Sequence, residues 1–451
     1  MKRIILLLLT LPILVNAQHA DKIKAIYDEA LSNGRVYEDL RGLCKDVGHR
    51  LSGSPGAAAA VEYTRYLMQS YDFDTVYLQP VMVPHWVRGK KEVVRAINSE
   101  KYGTFDLHAL AIGNSVGTGP DGILAEVIEV NGMGDLENLK KAKDKIVFYN
   151  GVMDPTIING FAAYGQAVRQ RGGGASEAAK YGARAVLIRS VTNRRDDIPH
   201  TGALRYDESV KKIPAIAIST NDADKLSKIL KEQAVKVYIE THCQRFEDVL
   251  SYNVIGEIRG SVYPDEFIAV GGHLDSWDVG EGAHDDGSGC VQGIEALRLF
   301  KALNITPKRT LRAVMWMNEE NGGRGGSEYA RVAKEKGENH IAALESDNGG
   351  FQPLGFTMTG TDTQKEQVRS WRKYFTPYRV WDFEQDGGGA DINPLKVQGT
   401  LLLGLRPNTQ RYFEFHHTPA DVFEVVDKRE LELGAASLSA MIYLLDQEGV
   451  Q

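Results

Sequence analysis

The stretch GGHLDSWDVGEGAHDDGSG, Gly271 to Gly289, sets two histidines and five acidic residues among glycines. Imidazole nitrogens and carboxylate oxygens at that density are the donors that zinc or a similar divalent ion takes. Three further groups of the same kind follow: Glu319 and Glu320 in NEENGG, Asp347 in ESDNGG, and His416 and His417 in FHHTPAD. Any one of them would read as a solvated turn, because Asp and Gly are ordinary turn residues. Four in succession need another reason.

That reason lies in what precedes each group. EFIAVGG runs into His273 and Asp275, RTLRAVMWMN into Glu319 and Glu320, and IAALES into Asp347, while GTLLLGL lies upstream of His417. Apolar runs of this kind, alternating with the helical stretches GSGCVQGIEALRLFKAL and GSEYARVAKEKG, predict an α/β domain with a mostly parallel central sheet flanked by helices. Ligands in such a sheet gather beyond the carboxyl ends of its strands. Four strand ends therefore deliver metal-compatible side chains to one edge.

A surplus of carboxylates suits a pair of ions about 3.5–4 Å apart that share a bridging carboxylate and a water, and Asp285 could be that bridge. Neighbouring side chains diverge, so one of Glu319 and Glu320 can bind metal while the other stays free as a general base. Asp275, two residues beyond His273, is placed to orient an imidazole. No GxSxG elbow sits at a plausible strand end and no GxxxxGK loop is present, which disfavours serine nucleophiles and phosphate-cradling loops.

The rest of the chain frames this domain. A different texture begins near Asn114, with GILAEVIEV, KIVFYNG, GASEAAKYGARAVLIRS and IPAIAIS, and ends near Glu247. Short strands and one helix, each closed by glycine or polar residues, predict a smaller β-rich domain over 114–247, inserted into a catalytic domain made of 18–113 and 248–451. At the start, Met1-Lys2-Arg3, an apolar run of twelve residues from Ile4 to Val15 broken by Pro12, and then VNAQ have the order of a secretory signal peptide. Cleavage is expected after Ala17, giving a secreted or periplasmic product. The run is shorter than the roughly 20 residues that cross a bilayer, so no membrane span is expected. A net charge of −7, more negative still without Lys2 and Arg3, argues against a nucleic-acid partner. Three scattered cysteines, Cys44, Cys243 and Cys290, are too few for a disulfide framework or a thiolate metal site.

HLDSWDVGEGAHDDGSG, NEENGG, ESDNGG and FHHTPAD resemble the motifs of the co-catalytic zinc exopeptidases. GASEAAKYGARAVLIRS resembles part of a protease-associated insert, and the likeness covers nearly the whole chain after the leader. The resemblance implies two zinc ions, with His273 and Asp347 on one, Glu320 and His417 on the other, and Asp285 bridging them. It makes Glu319 the general base and Asp275 the histidine-orienting aspartate. The family's last histidine is followed by a short loop and an aspartate, which favours His417 over His416. The resemblance also implies small peptides as substrates, cleaved by aminopeptidase, carboxypeptidase or dipeptidase action, and a homodimer. DGGGADINPL, Asp386 to Leu395, resembles the family's specificity loop; there Asp391 is a candidate for reading an α-amino group, and Arg406 or Arg411 for pairing with a carboxylate.

Two other classes share such a fold. A receptor or binding protein that has lost the chemistry is disfavoured by the intact ligand set and Glu319. A mononuclear zinc cyclase or deamidase needs only three protein ligands. Among the remaining histidines, His284 is expected to line the site without binding metal, His200 to belong to the insert, and His49 and His340 to be structural.

Overall fold

The computed structural model describes the backbone of residues 2–450 and the side chains of residues 17–450 other than Asn98. The expected leader, residues 1–17, lies almost wholly outside the described side chains. Among the described residues no helix is long and apolar enough to cross a membrane.

Fifteen strands follow in chain order: β1 (Thr75–Val87), β2 (Val93–Ser99), β3 (Gly103–Asp106), β4 (Ala109–Ala111), β5 (Ile123–Val130), β6 (Ile146–Tyr149), β7 (Ala185–Arg189), β8 (Ala215–Ile218), β9 (Lys236–Glu240), β10 (Gln244–Ile258), β11 (Tyr263–His273), β12 (Arg309–Trp316), β13 (Asn339–Glu345), β14 (Pro353–Thr359) and β15 (Leu401–Pro407). They form two sheets. The first has seven strands in the order β1-β10-β12-β11-β13-β15-β14. Its four central strands, β12, β11, β13 and β15, are parallel, and β1, β10 and β14 join the edges antiparallel.

The apolar runs that predict buried strands behave as such. Leu311, Ala313 and Met315 of β12 face one core, with the helices Ser288–Ala302 and Lys428–Glu448. Val314 and Trp316 of the same strand face the other, with the helix Arg324–Lys336. Alternate side chains of one strand thus serve two helix layers, so neither face could be polar.

The second sheet runs β3-β2-β9-β5-β6-β7-β8-β4. The expected boundary at Asn114 falls inside it, because β2, β3 and β4 already belong to this sheet. The physical reason is pairing: VVRAINS is short and half polar, and it finds its partners in β3 and β9 rather than in the catalytic sheet. The unit is also less β-rich than its sequence implies. Strands β5 to β8 are parallel, and the helices Thr220–Glu232 and Arg169–Lys180 pack on opposite faces of them. The long antiparallel ribbon of β1 with β10 carries the chain out to this unit and back.

Candidate metal centre

The glycine-rich loop after β11 has little apolar core of its own, and a buried cation organises it. Arg50 is wholly buried, and its guanidinium donates to the carbonyls of Leu274 at 2.8 Å, Glu281 at 2.6 Å, Gly282 at 2.9 Å and Gly48 at 3.1 Å. A planar fork of five N–H donors suits several carbonyls at once. Two buried aspartates hold the other end. Asp421 accepts from the backbone N–H groups of His284 at 2.8 Å and Asp285 at 3.1 Å, and Asp286 accepts from those of His273 and Gly289, both at 3.0 Å.

Within this frame the five expected ligands converge. His273 closes β11, and its Nε2 lies 3.2 Å from Asp285 Oδ1 and 3.3 Å from Asp347 Oδ1. The other carboxylate oxygen of Asp285 lies 3.2 Å from His417 Nε2, which is itself 3.1 Å from Glu320 Oε2. Donor atoms of His273, Asp285 and Asp347 all lie within 4.8 Å of one another, as do those of Asp285, His416 and His417. Asp285 therefore belongs to both groups. His416 stacks on His417 with ring centroids 3.4 Å apart, and its Nε2 stands 3.7 Å from Asp285. Adjacency in sequence brings both imidazoles here, and contact with Glu320 singles out His417.

Each key imidazole presents Nε2 because a carbonyl takes its other nitrogen. His273 Nδ1 donates to the Asp275 carbonyl at 2.9 Å, and His417 Nδ1 to the Thr201 carbonyl at 3.3 Å. Asp275 thus meets the imidazole through its carbonyl rather than its carboxylate. Its carboxylate stands 3.8 Å from His273 Nδ1, beyond hydrogen-bonding distance, and accepts instead from the backbone N–H groups of Asn318 at 2.7 Å, Glu319 at 3.0 Å and Glu320 at 3.3 Å. Three N–H groups converge on it because the turn after β12 passes through Asn318 in a left-handed conformation, φ +77°. Asp275 thus fixes the Glu319-Glu320 pair through their backbone.

The second sheet's unit forms the other wall. A cavity of about 470 Å³ is lined on the sheet side by His273, Asp285, Glu319, Glu320, Asp347 and His417, and across from them by Asn114, Phe161, Tyr164, Arg171, Ala203 and Arg205. His417 sits in a left-handed conformation, φ +62°, which costs a residue with a Cβ about 1 kcal/mol. Two bonds hold it there: Thr201 N–H donates to the His417 carbonyl at 3.0 Å, and the imidazole donates back to the Thr201 carbonyl. Nothing in TGALRY announces this role, since backbone groups have no residue signature.

Other expectations resolve differently. Arg406 pairs with Asp382 at 2.9 Å, and Arg411 lies on the surface 3.3 Å from Glu414, so neither lines the cavity. The loop from Asp386 to Leu395 is pinned by buried Glu345, which accepts from the N–H groups of Ala390, Asp391 and Ile392 at 2.8–3.0 Å. The Asp391 carboxylate is buried without a hydrogen-bond partner and does not reach the cavity lining. His284 stacks on Phe351 at 4.1 Å and accepts from Gly350 N–H, away from the cavity; burial pushes its pKa down to about 4. His340 is likewise buried, 2.7 Å from the Tyr329 hydroxyl. His200 is buried beside the second sheet and His49 is exposed. The three cysteines are free and buried.

The electrostatics describe a place built for cations. Burial raises Glu319 to about 8 and Glu320 to about 7, helped by the neighbouring carboxylates. For His417 burial works downward, but Glu320 and Asp285 outweigh it and hold the imidazole up to about 9. For Asp285 burial works upward, and His273 and His417 outweigh it, keeping the carboxyl well below its usual range. Oxygens Oε1 of Glu320 and Oδ2 of Asp285 are buried without a hydrogen-bond donor. Unsatisfied buried carboxylate oxygens beside outward-facing imidazole nitrogens fit zinc, whose usual ligands are these two atom types.

Residues 253–441 match the model of peptidase family M28. The chain is 40% identical to carboxypeptidase Q of Xenopus laevis over 435 residues, covering 95% of this chain and 90% of that protein. It is 36% identical to human carboxypeptidase Q over 435 residues, covering 95% and 89%. A crystal structure of a peptidase M28 precursor from Shewanella amazonensis SB2B superposes with a TM-score of 0.91 at 32% identity, covering 96% of this chain and 98% of that one. The zinc aminopeptidase BSAP from Bacillus subtilis shares the fold, with a TM-score of 0.67 at 18% identity over 92% and 94% of the two chains. The chain belongs to peptidase family M28, and with that membership the expected enzyme class, a zinc-dependent exopeptidase, stands.

Proposed function

We propose that this protein is an exported di-zinc exopeptidase that hydrolyses small peptides at one end, with its second sheet acting as the protease-associated unit of the fold. The observation that carries the reading is the position of Asp285, whose two carboxylate oxygens face separate donor groups, His273 with Asp347 and His417 with Glu320. His273 and Asp347 would hold one ion and His417 and Glu320 the other, with Asp285 shared between them. Zinc bound there supplies Lewis acidity, which acidifies water and polarises a carbonyl. Export is supported by the basic, apolar and small-residue order of residues 1–17.

The chain's own residues do the rest. Glu319 lines the cavity beside this ligand set without being needed by it, which leaves its carboxylate free to act as the general base. It takes a proton from water as the water oxygen bonds to the acyl carbon. The same proton then passes to the leaving nitrogen as the carbon–nitrogen bond breaks. Asp275 holds the Glu319 backbone in place throughout, and Thr201 and the Asp275 carbonyl hold the imidazoles. Zinc content of the purified chain, measured together with hydrolysis of unblocked dipeptides, tests the reading. Near two equivalents and turnover are expected; a single equivalent at saturation, or no cleavage of any unblocked peptide, would overturn it.

A further inference from the structure

A second cavity, of about 630 Å³, opens where the unit built on the second sheet meets the loop that carries His417. It is larger than the cavity at the metal centre and shares no lining residue with it. Its body is apolar, made by Val93 of β2, by Leu107, Ala109 and Leu110 on the way into β4, and by two prolines, Pro199 and Pro419. Strand β4 ends its sheet and pairs with β8 alone, so no further strand covers this side. Leu110 is only 7% exposed, yet it belongs to neither apolar core of its unit and lines this cavity instead.

The charges around it are paired, with one exception. Arg95 holds Asp106, His108 Nδ1 stands 2.9 Å from Asp222, and Glu92 accepts from Ala111 N–H at 2.8 Å with Arg88 3.6 Å away. Lys91 is exposed and makes no hydrogen bond or ion pair among the described residues. An apolar cavity of this size takes a small organic molecule, and a lone ammonium on its lining favours one that ends in an anion. The two prolines extend the reach of such a guest. Pro199 lies two residues before Thr201 and Pro419 two residues after His417, and Thr201 and His417 are bonded to each other through backbone and ring. A guest that touches both prolines fits only while these segments stand side by side, and so favours that arrangement.

We infer that this cavity is an effector site for a small molecule with an apolar chain and one carboxylate, and that its occupation tightens the hold of His417 on zinc. The coupling rests on the reading of His417 as a zinc ligand; the binding itself does not.

Octanoate is the probe and octan-1-ol its uncharged counterpart, each titrated calorimetrically into the full chain with and without zinc. Saturable binding of octanoate is expected, roughly 2–5-fold tighter than that of the alcohol, and Lys91→Ala should remove the difference. Leu110→Asp sets a charge against the apolar chain and should weaken both ligands by roughly 10-fold or more. Lys91 is exposed, so its variant keeps the test decisive should Leu110→Asp fail to fold. In chelator competition, saturating octanoate should raise affinity for the second zinc equivalent by about 5-fold or more, and zinc should tighten octanoate by the same factor. Absence of saturable octanoate binding, or equal affinity of the wild-type chain for acid and alcohol, overturns the site. Zinc affinity unchanged by bound octanoate overturns the coupling. If no zinc binds while octanoate still does, the di-zinc reading falls and the site stands.

Discussion

The two walls of the cavity are made in different ways. On the sheet side buried charge-assisted bonds fix the backbone of most functional residues: Arg50 and Asp421 shape the loop of Asp285, Asp286 holds the His273 backbone, and Asp275 holds the turn of Glu319 and Glu320. On the side of the second sheet the contacts with this machinery are fewer and mostly neutral: the Thr201 carbonyl 3.3 Å from His417 Nδ1, Arg171 Nη1 3.4 Å from the same nitrogen, and the Tyr164 ring edge-on to His416. Chemistry needs atoms held to within a fraction of an ångström, and selection of a ligand needs groups still free to engage it. The difference between the walls follows that division of labour.

Four substitutions or conditions would break or sharpen this contrast. The largest effect is expected from Glu319→Gln, which keeps shape and removes the base: kcat should fall by roughly 10²–10⁴-fold while zinc content stays at the wild-type value. A variant that loses zinc as well would place Glu319 among the ligands instead. Gly202→Ala comes next. Gly202 has φ +129°, and a methyl there would collide with both Arg171 and His417, so it reaches the centre from the insert's wall. Affinity for the second zinc equivalent, read by chelator competition, should weaken by roughly 10–100-fold, as for loss of an orienting partner. Wild-type affinity would show that the insert does not govern His417.

A smaller effect concerns pH. In the cation-free chain Glu319 and Glu320 are raised from 4.5 to about 8 and about 7, so they bind protons more tightly folded than unfolded. The stability this contributes is fully present below about pH 4.5 and is lost as pH rises through 7 and 8. Zinc replaces those protons and needs His417 deprotonated as well. The gain in thermal midpoint on adding saturating zinc should therefore be greater at pH 8 than at pH 5.5, and an equal gain at both would count against metal binding by these groups. Last, Arg411→Ala removes an exposed pair with Glu414 and should change kcat/KM on a free-carboxylate dipeptide by less than about twofold. A large loss there would restore Arg411 as a carboxylate-pairing residue.

What could be read from the sequence was what side-chain type and period encode. Runs such as RTLRAVMWMN are apolar at every position because β12 is covered on both faces, and the acids and imidazoles after each run fall together because parallel strands all end at one edge. What could not be read was carried by backbone. Thr201 acts through its carbonyl and N–H, Asp275 through a carbonyl and through N–H groups 43 to 45 residues away, and Arg50 through four carbonyls. None of these partners leaves a mark in composition. The start of the inserted unit was hidden for a related reason: β2 alternates like any half-exposed strand, and only pairing decides which sheet it joins.

The paired bonds between Thr201 and His417 tie the roof of the cavity to its floor. Should the insert swing away to admit or release a peptide, the imidazole would lose both its tautomer and the support of its strained backbone at the same moment. Traffic through a wide-open state is then incompatible with a fully assembled centre. The geometry of His417 is thus coupled to the seat of the second sheet's unit over the cavity.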